Sequence, residues 1–387
     1  MEDRVMISEA RKLAARMICF GFDGVEVNDH ARRMIGKGCG ACILFARNVR
    51  DPAQLSSMCG ELKRLASPRK LLIMIDQEGG RVARLKPPHF TALPSARAVG
   101  SAPDAANAAR VVAEVVASEL RAVNVDMTLA PVVDVHTNPL NTVIGDRAFA
   151  ADADAVAALG AAFIRALQAK GVAACAKHFP GHGDTVEDSH DDGLPTLTHD
   201  MDRLETVELK PFRAAIDAAV SSVLVAHVSV PAMEGIDPGK RFPAPVPAST
   251  SRACVRYLRR TLNFSGVVVT DDLEMGALSR GSGIDLGAAV VEAARSGVDM
   301  FLACHDERIQ TEALEALACA LMDGGLKRET VRLAGARLDV LDAAFVSAPR
   351  GVIEEIQRDV AGLVGTEANG RRIDEALGIG IGATEAV

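Results

Sequence analysis

The chain has 387 residues, of which 49% are hydrophobic and 24% charged: enough apolar material for a large core and too little charge for general disorder. Its formal net charge is −8 and no Lys/Arg run is interleaved with aromatics, which argues against a nucleic-acid groove and favours a small neutral or mildly anionic substrate. No stretch approaches the roughly 18 uninterrupted apolar residues of a membrane span.

The amino terminus, MEDRVMISEARKLAAR, carries charge throughout and lacks the apolar core of a secretory signal, so a cytoplasmic protein with no membrane partner is expected. Eight apolar runs then follow: MICFGF (17–22), ACILF (41–45), LLIMID (71–76), DMTLAPVVDV (126–135), VAACAK (172–177), SVLVAH (222–227), GVVVTD (266–271) and DMFLAC (299–304). Nearly all lack polar alternation, the pattern of strands buried on both faces in a parallel sheet. Helical spacing occupies 52–65, 104–123, 151–170, 202–219, 251–262, 284–296 and 306–322. Strand then helix, eight times over, predicts an α/β protein built as a (β/α)8 TIM-type barrel. The alternative is a doubly wound open sheet, but GKGCGA (36–41) neither matches a dinucleotide fingerprint nor opens a helix.

A further helical pattern covers 326–344, and the tail from Gly351 ends in the Gly-rich GIGIGATEAV, which reads as a loose terminus. The expected organisation is one barrel domain, 1–349, with a C-terminal helical extension, 350–387. The cysteines at 19, 39, 42, 59, 175, 254, 304 and 319 mostly sit in apolar runs, as buried reduced thiols do. Cys39 and Cys42 form a CGAC pair, but no partner follows at zinc spacing.

A barrel carries its chemistry at the carboxyl ends of its strands, and the polar residues of this chain collect there. The third run ends in Asp76 and leads into DQEGGRVARL; the fourth leads to Arg147; the fifth ends in Lys177 and His178. The sixth ends in His227, the seventh in Asp271 and Asp272, and the eighth in His305 and Asp306. Charges at the ends of such apolar strands are costly unless they line a wet pocket or pair with one another. Asp134 and Asp272 could cap a following segment or brace an Arg, Glu78 could hold the Gly79–Gly80 turn or an adjacent Arg, and His227 could be wall or substrate contact. Asp271 follows GVVV as a carboxylate at the barrel mouth, where chemistry is the stronger reading.

The densest stretch is KHFPGHGDTVEDSH, 177–190, where Pro180, Gly181 and Gly183 impose a loop. Asp188 and His190 are two apart, so the carboxylate can turn onto the imidazole, fix its tautomer and raise its proton affinity. Set against Asp271, this pair provides the proton donor and the carboxylate nucleophile of a retaining glycoside hydrolase, with histidine in place of the usual second carboxylate. Lys177, Arg147 and Arg84 could hold sugar hydroxyls or a carbonyl, and Asp76 could accept from two adjacent hydroxyls. A rival use of the loop is a metal site made by His178, His182, Asp184 and His190. Lys177 beside the cluster weighs against it, and the favoured reading has neither metal nor cofactor.

KHFPGHGDTVEDSH, DQEGGRVARL, VIGDRAF, ILFARN and VVVTDDLEM together resemble the single-domain β-N-acetylglucosaminidases of glycoside hydrolase family 3, over residues 17–340. The resemblance implies a barrel that removes terminal β-linked N-acetylglucosamine with retention. It implies Asp271 as nucleophile, His190 with Asp188 as acid/base dyad, and Asp76, Arg84, Arg147, Lys177 and His178 as the sugar-binding set. It also implies a cytoplasmic role in cell-wall recycling on N-acetylglucosaminyl-1,6-anhydro-N-acetylmuramyl peptides. Between His190 and Leu194 stand three residues where the family pattern has two. Phosphorolysis with the same residues, a metal-dependent barrel hydrolase, and a non-catalytic sugar-binding barrel are the alternatives.

Overall fold

Each of the eight apolar runs contributes one strand to a closed parallel barrel, in a computed structural model that describes residues 2–185, 193–236, 245–279, 285–347, 360 and 362–379. The barrel strands are β1 (Ile18–Phe20), β2 (Ala41–Leu44), β3 (Leu72–Ile75), β6 (Met127–Thr128), β7 (Ala173–Phe179), β8 (Ser222–Val225), β9 (Val267–Asp272) and β10 (Met300–Ala303). They pair in that order, and β10 closes on β1 through Ile18 opposite Phe301. A small antiparallel hairpin outside the barrel, β4 (Gln77–Gly79) with β5 (Val82–Ala83), follows β3 directly.

Period-two alternation divides each strand between two apolar layers. Leu72 and Met74 of β3, Ala173 and Cys175 of β7, and Val267 and Val269 of β9 meet in the barrel lumen. Ile73, Ile75, Ala174, Ala176 and Val268 face the other way, into the larger core beneath the helices. The same parity, carried one step past the apolar part of each strand, delivers Asp76, Lys177 and Asp271 to the carboxyl end of the lumen. At the opposite end Leu338 and Leu341 of the helix Arg328–Phe345 join the lumen cluster and close it.

The fourth run is a strand only over Met127–Thr128, because Pro131 has no N–H to give to the ladder. Its acceptors still serve β7: Cys175 N–H donates to Ala130 O and Lys177 N–H to Pro131 O. The helical run 202–219 is two helices, Met201–Thr206 and Lys210–Asp217, parted just before Pro211. The run 251–262 starts as the α-helix Arg252–Arg256 and continues as a π turn, Tyr257–Thr261. Among the described residues, two helices longer than five residues have no counterpart in the sequence reading. Glu2–Arg16 packs beside Glu307–Met322, and Asp29–Lys37, capped by Asn28 and ended by Gly38, completes the first strand–helix unit. Both are charged enough to mask their apolar stripe.

The helix Glu367–Leu377 in the C-terminal extension lies against Ala105–Ala122, with Ile373 and Ala376 buried and Arg372 paired to Glu114 at 2.7 Å. All eight cysteines are free thiols, and all but Cys319 are buried; burial pushes Cys39 up to about 12. Among the described residues no helix is long and apolar enough to cross a membrane.

Candidate active site

At the carboxyl end of the barrel a cavity of about 250 Å³ is lined by Asp76, Glu78, Arg84, Arg147, Lys177, His178, His182 and Asp271, with Arg81, Val82 and Val143 at its edge. All six of the described residues expected at the site, Asp76, Arg84, Arg147, Lys177, His178 and Asp271, therefore face one space. Asp188 and His190 lie outside the described residues.

A charge network fixes the floor of this cavity. Lys177 Nζ lies 2.9 Å from Asp76 Oδ1 and 2.6 Å from Glu78 Oε1. The Arg84 guanidinium donates to Asp76 Oδ2 at 3.1 Å. Arg147 grips Glu78 with two parallel bonds of 2.8 and 2.9 Å, a fork that holds both planes rigid. Burial by itself would raise the Asp76 carboxyl, but Lys177 and Arg84 outweigh it and hold the group at about 2. Glu78 is likewise held low, by Lys177 and Arg147 against its burial. Burial would lower Lys177, yet Asp76 and Glu78 raise it, so it is a fixed cation at neutral pH.

His178 occupies the next position. Its Nδ1 is 2.7 Å from Asp134 Oδ2 and its Nε2 is 3.2 Å from the Arg147 guanidinium. Asp134 Oδ1 accepts from the backbone N–H of His182 at 2.8 Å. Asp134 thus braces a histidine and the loop after it, not an Arg or a helix end. Glu78, expected to hold its own turn or an adjacent Arg, instead reaches Arg147 and Lys177 on distant elements. Both belong to the site, and only the residue-to-residue distances reveal it.

Asp271, partly buried, is the last but one residue of β9 and lines the same cavity. Burial raises its carboxyl, but His227, His178 and the N–H of Asp272, with Lys177 behind them, outweigh that and keep it below the ordinary value. Its Oδ1 accepts from Asp272 N–H at 2.9 Å. Asp272 itself turns away, accepting from the N–H groups of Glu274 and Cys304, both at 3.2 Å. Burial and the neighbouring Glu274 push it up to about 7. His227 is wall: fully buried, it bonds Ser249 Oγ at 2.8 Å and Asp272 O at 2.9 Å. His305 lies on the rim against Phe45, ring centroids 5.0 Å apart, and Asp306 caps the helix Glu307–Met322.

Within the loop after β7, His182 Nδ1 is 2.6 Å from Thr185 Oγ1, and Asp184 accepts from Thr137 and pairs with His199. Of the four residues weighed for a metal, His178 and His182 line the cavity, Asp184 is turned to His199, and His190 is outside the described residues. Among the described residues no group of three or more His, Cys, Asp or Glu side chains has the geometry to hold a metal ion.

The arrangement offers an ionised carboxylate facing a ring of fixed cations, carboxylates and an imidazole, a site for a neutral polyhydroxylated ring. Residues 12–341 match the Glycosyl hydrolase family 3 N terminal domain. A β-hexosaminidase of Thiobacillus denitrificans is 40% identical over 76% of this chain and 79% of its own length. A glycoside hydrolase family 3 β-N-acetylglucosaminidase from Paenibacillus superposes with a TM-score of 0.83 at 37% identity, over 95% of this chain and 68% of that one. Native NagZ from Neisseria gonorrhoeae superposes with a TM-score of 0.74 at 28% identity, over 94% and 97% of the two chains.

Proposed function

The chain belongs to glycoside hydrolase family 3, and from that premise we propose that it is a retaining exo-β-N-acetylglucosaminidase. The observation that carries the reading is Asp271: a carboxylate kept ionised at the mouth of the barrel, facing the cavity that Lys177, Arg147, His178 and Asp76 line. The β-hexosaminidase and β-N-acetylglucosaminidase relatives support the substrate class.

In this reading the sugar sits on the charged floor. Asp76 and Glu78 accept from its hydroxyls, while Arg84, Arg147 and Lys177 donate to its oxygens. The Asp271 Oδ2 attacks the anomeric carbon as the glycosidic C–O bond breaks, and the leaving oxygen takes a proton from His190, oriented by Asp188. Water then adds to the same carbon and gives its proton to His190, the ester to Asp271 breaks, and N-acetylglucosamine leaves with its configuration retained. The cavity of about 250 Å³ is on the scale of one sugar ring, which supports removal of terminal residues. We assign the physiological substrate to N-acetylglucosaminyl-1,6-anhydro-N-acetylmuramyl peptides of cell-wall recycling and the site of action to the cytoplasm, with residues 1–349 as the catalytic domain and 350–387 as an extension.

Asp271→Ala should lower release of nitrophenol from an aryl N-acetylglucosaminide on the order of 10⁴-fold or more. Azide should restore turnover of that variant by giving a glycosyl azide of inverted configuration. An Asp271→Ala enzyme with wild-type rate would remove Asp271 from the mechanism, and sugar 1-phosphate as main product in phosphate buffer would replace hydrolysis by phosphorolysis.

A further inference from the structure

Asp271 does not aim itself. Among the described residues its carboxylate accepts a hydrogen bond from the backbone N–H of the next residue, so the direction of the carboxylate depends on how that peptide is held. Asp272 is held from three sides. From β8, His227 Nε2–H donates to Asp272 O at 2.9 Å, and His227 is itself fixed by Ser249 Oγ on its other nitrogen at 2.8 Å. From β10, Cys304 N–H donates to Asp272 Oδ1 at 3.2 Å. From the turn that follows β9, Glu274 N–H donates to the same oxygen, also at 3.2 Å.

We infer that Asp272 is the positioning residue for the nucleophile: its carboxyl and carbonyl clamp the ends of β8, β9 and β10 together so that its N–H holds Asp271 Oδ1 and leaves Oδ2 to the anomeric carbon. The inference rests on Asp271 being the nucleophile. Asp272 lies outside the set of side chains that line the sugar cavity, so it acts through its neighbour and not on substrate. Through Oδ1 its side chain accepts from two backbone N–H groups. That requirement is met by an amide as well as by an acid, and it separates positioning from charge. A carboxylate free to rotate would still bind sugar beside it, but would attack from poorly aligned geometries, and misplacement on the order of 1 Å costs about 10²-fold in rate.

The test uses the full chain and a dinitrophenyl N-acetylglucosaminide, whose leaving group needs no proton and so isolates nucleophilic attack from His190. Asp272→Ala should lower the rate of glycosyl-enzyme formation by about 10²-fold, while KM and the inhibition constant of free N-acetylglucosamine stay within about threefold. Asp272→Asn, which keeps the Oδ1 acceptor, should recover to within about tenfold of wild type. Ser249→Ala, which loosens His227 without altering Asp272, should slow the same step by about three- to tenfold, and it gives the answer if Asp272→Ala does not fold. Wild-type attack rates in Asp272→Ala or in Ser249→Ala, an Asn variant as slow as the Ala variant, or a loss that falls on sugar binding would each overturn the inference. Asp271→Ala is run alongside: if it is inactive while Asp272→Ala is normal, only the clamp fails, and if it is active, the nucleophile assignment fails and the clamp with it.

Discussion

His178 shows how much one residue owes to its neighbours. Arg147 can only donate, so the His178 nitrogen 3.2 Å from it has to be an acceptor, and the proton belongs on Nδ1, 2.7 Å from Asp134. Asp134, which the sequence offered as a cap or an Arg partner, thus sets the orientation of the ring. Asp272 carries the clearest pH signature. Its folded-state value of about 7 is above the ordinary carboxyl value near 4, so the folded protein holds this proton where the unfolded chain has lost it. That contribution is complete below about pH 4 and declines as pH rises to about 7. Around the carboxyl lie Asp271 and Glu274 on its own segment and His305 from β10, at 3.7 Å. Asp272→Asn removes the titration. The stability difference between the variant and wild type should therefore shift in favour of the variant between about pH 4 and 7 and level off beyond, as read by denaturant unfolding at each pH. A difference independent of pH would mean that Asp272 is ionised throughout.

At the scale of elements, strands were legible because a buried parallel strand leaves little choice of side chain. The runs ending in Asp76, Lys177 and Asp271 also reveal which way those residues point, since parity from Leu72, Ala173 and Val267 fixes it. Helices were less legible where charge covers the apolar stripe, as in Asp29–Lys37, or where a proline divides the run, as at Pro211. The C-terminal extension is helical, as its pattern suggests, but its docking was not legible. Glu367–Leu377 is a helix capped by Thr366, and its approach also supplies partners to buried Glu119: Gly365 N–H at 2.8 Å and Asn369. This docking belongs to stability. Ile373→Ala should lower the unfolding free energy by about 2–3 kcal/mol in a denaturant titration, with kcat on an aryl glycoside unchanged. A loss of kcat with unchanged stability would instead tie the extension to the reaction.

The whole molecule separates chemistry from stability by face. At the carboxyl end the ion pairs surround a cavity; at the amino end they are sealed. Lys63 Nζ and Asp126 Oδ1 meet at 2.7 Å with both side chains almost fully buried, and Asp126 also accepts from Ile73 N–H and from Ser347, joining β3, β6 and the end of the helix Arg328–Phe345. Lys63→Met would leave that carboxylate buried without its cation, a loss of about 3–5 kcal/mol. Unfolding should shift accordingly while KM and kcat of the folded enzyme hold; a change in kcat would contradict the division between the faces. What the sequence by itself determined is the eight-strand barrel, the family, and the strand-end residues that face the cavity, because apolar runs and parity are local properties of the chain. Only the tertiary structure decided the partners: that Glu78 reaches Arg147 and Lys177, that Asp134 sets His178, and that Asp272 is gripped by β8 and β10. Those pairs join residues far apart in sequence, and no spacing along the chain encodes a distance that exists only once the barrel has closed.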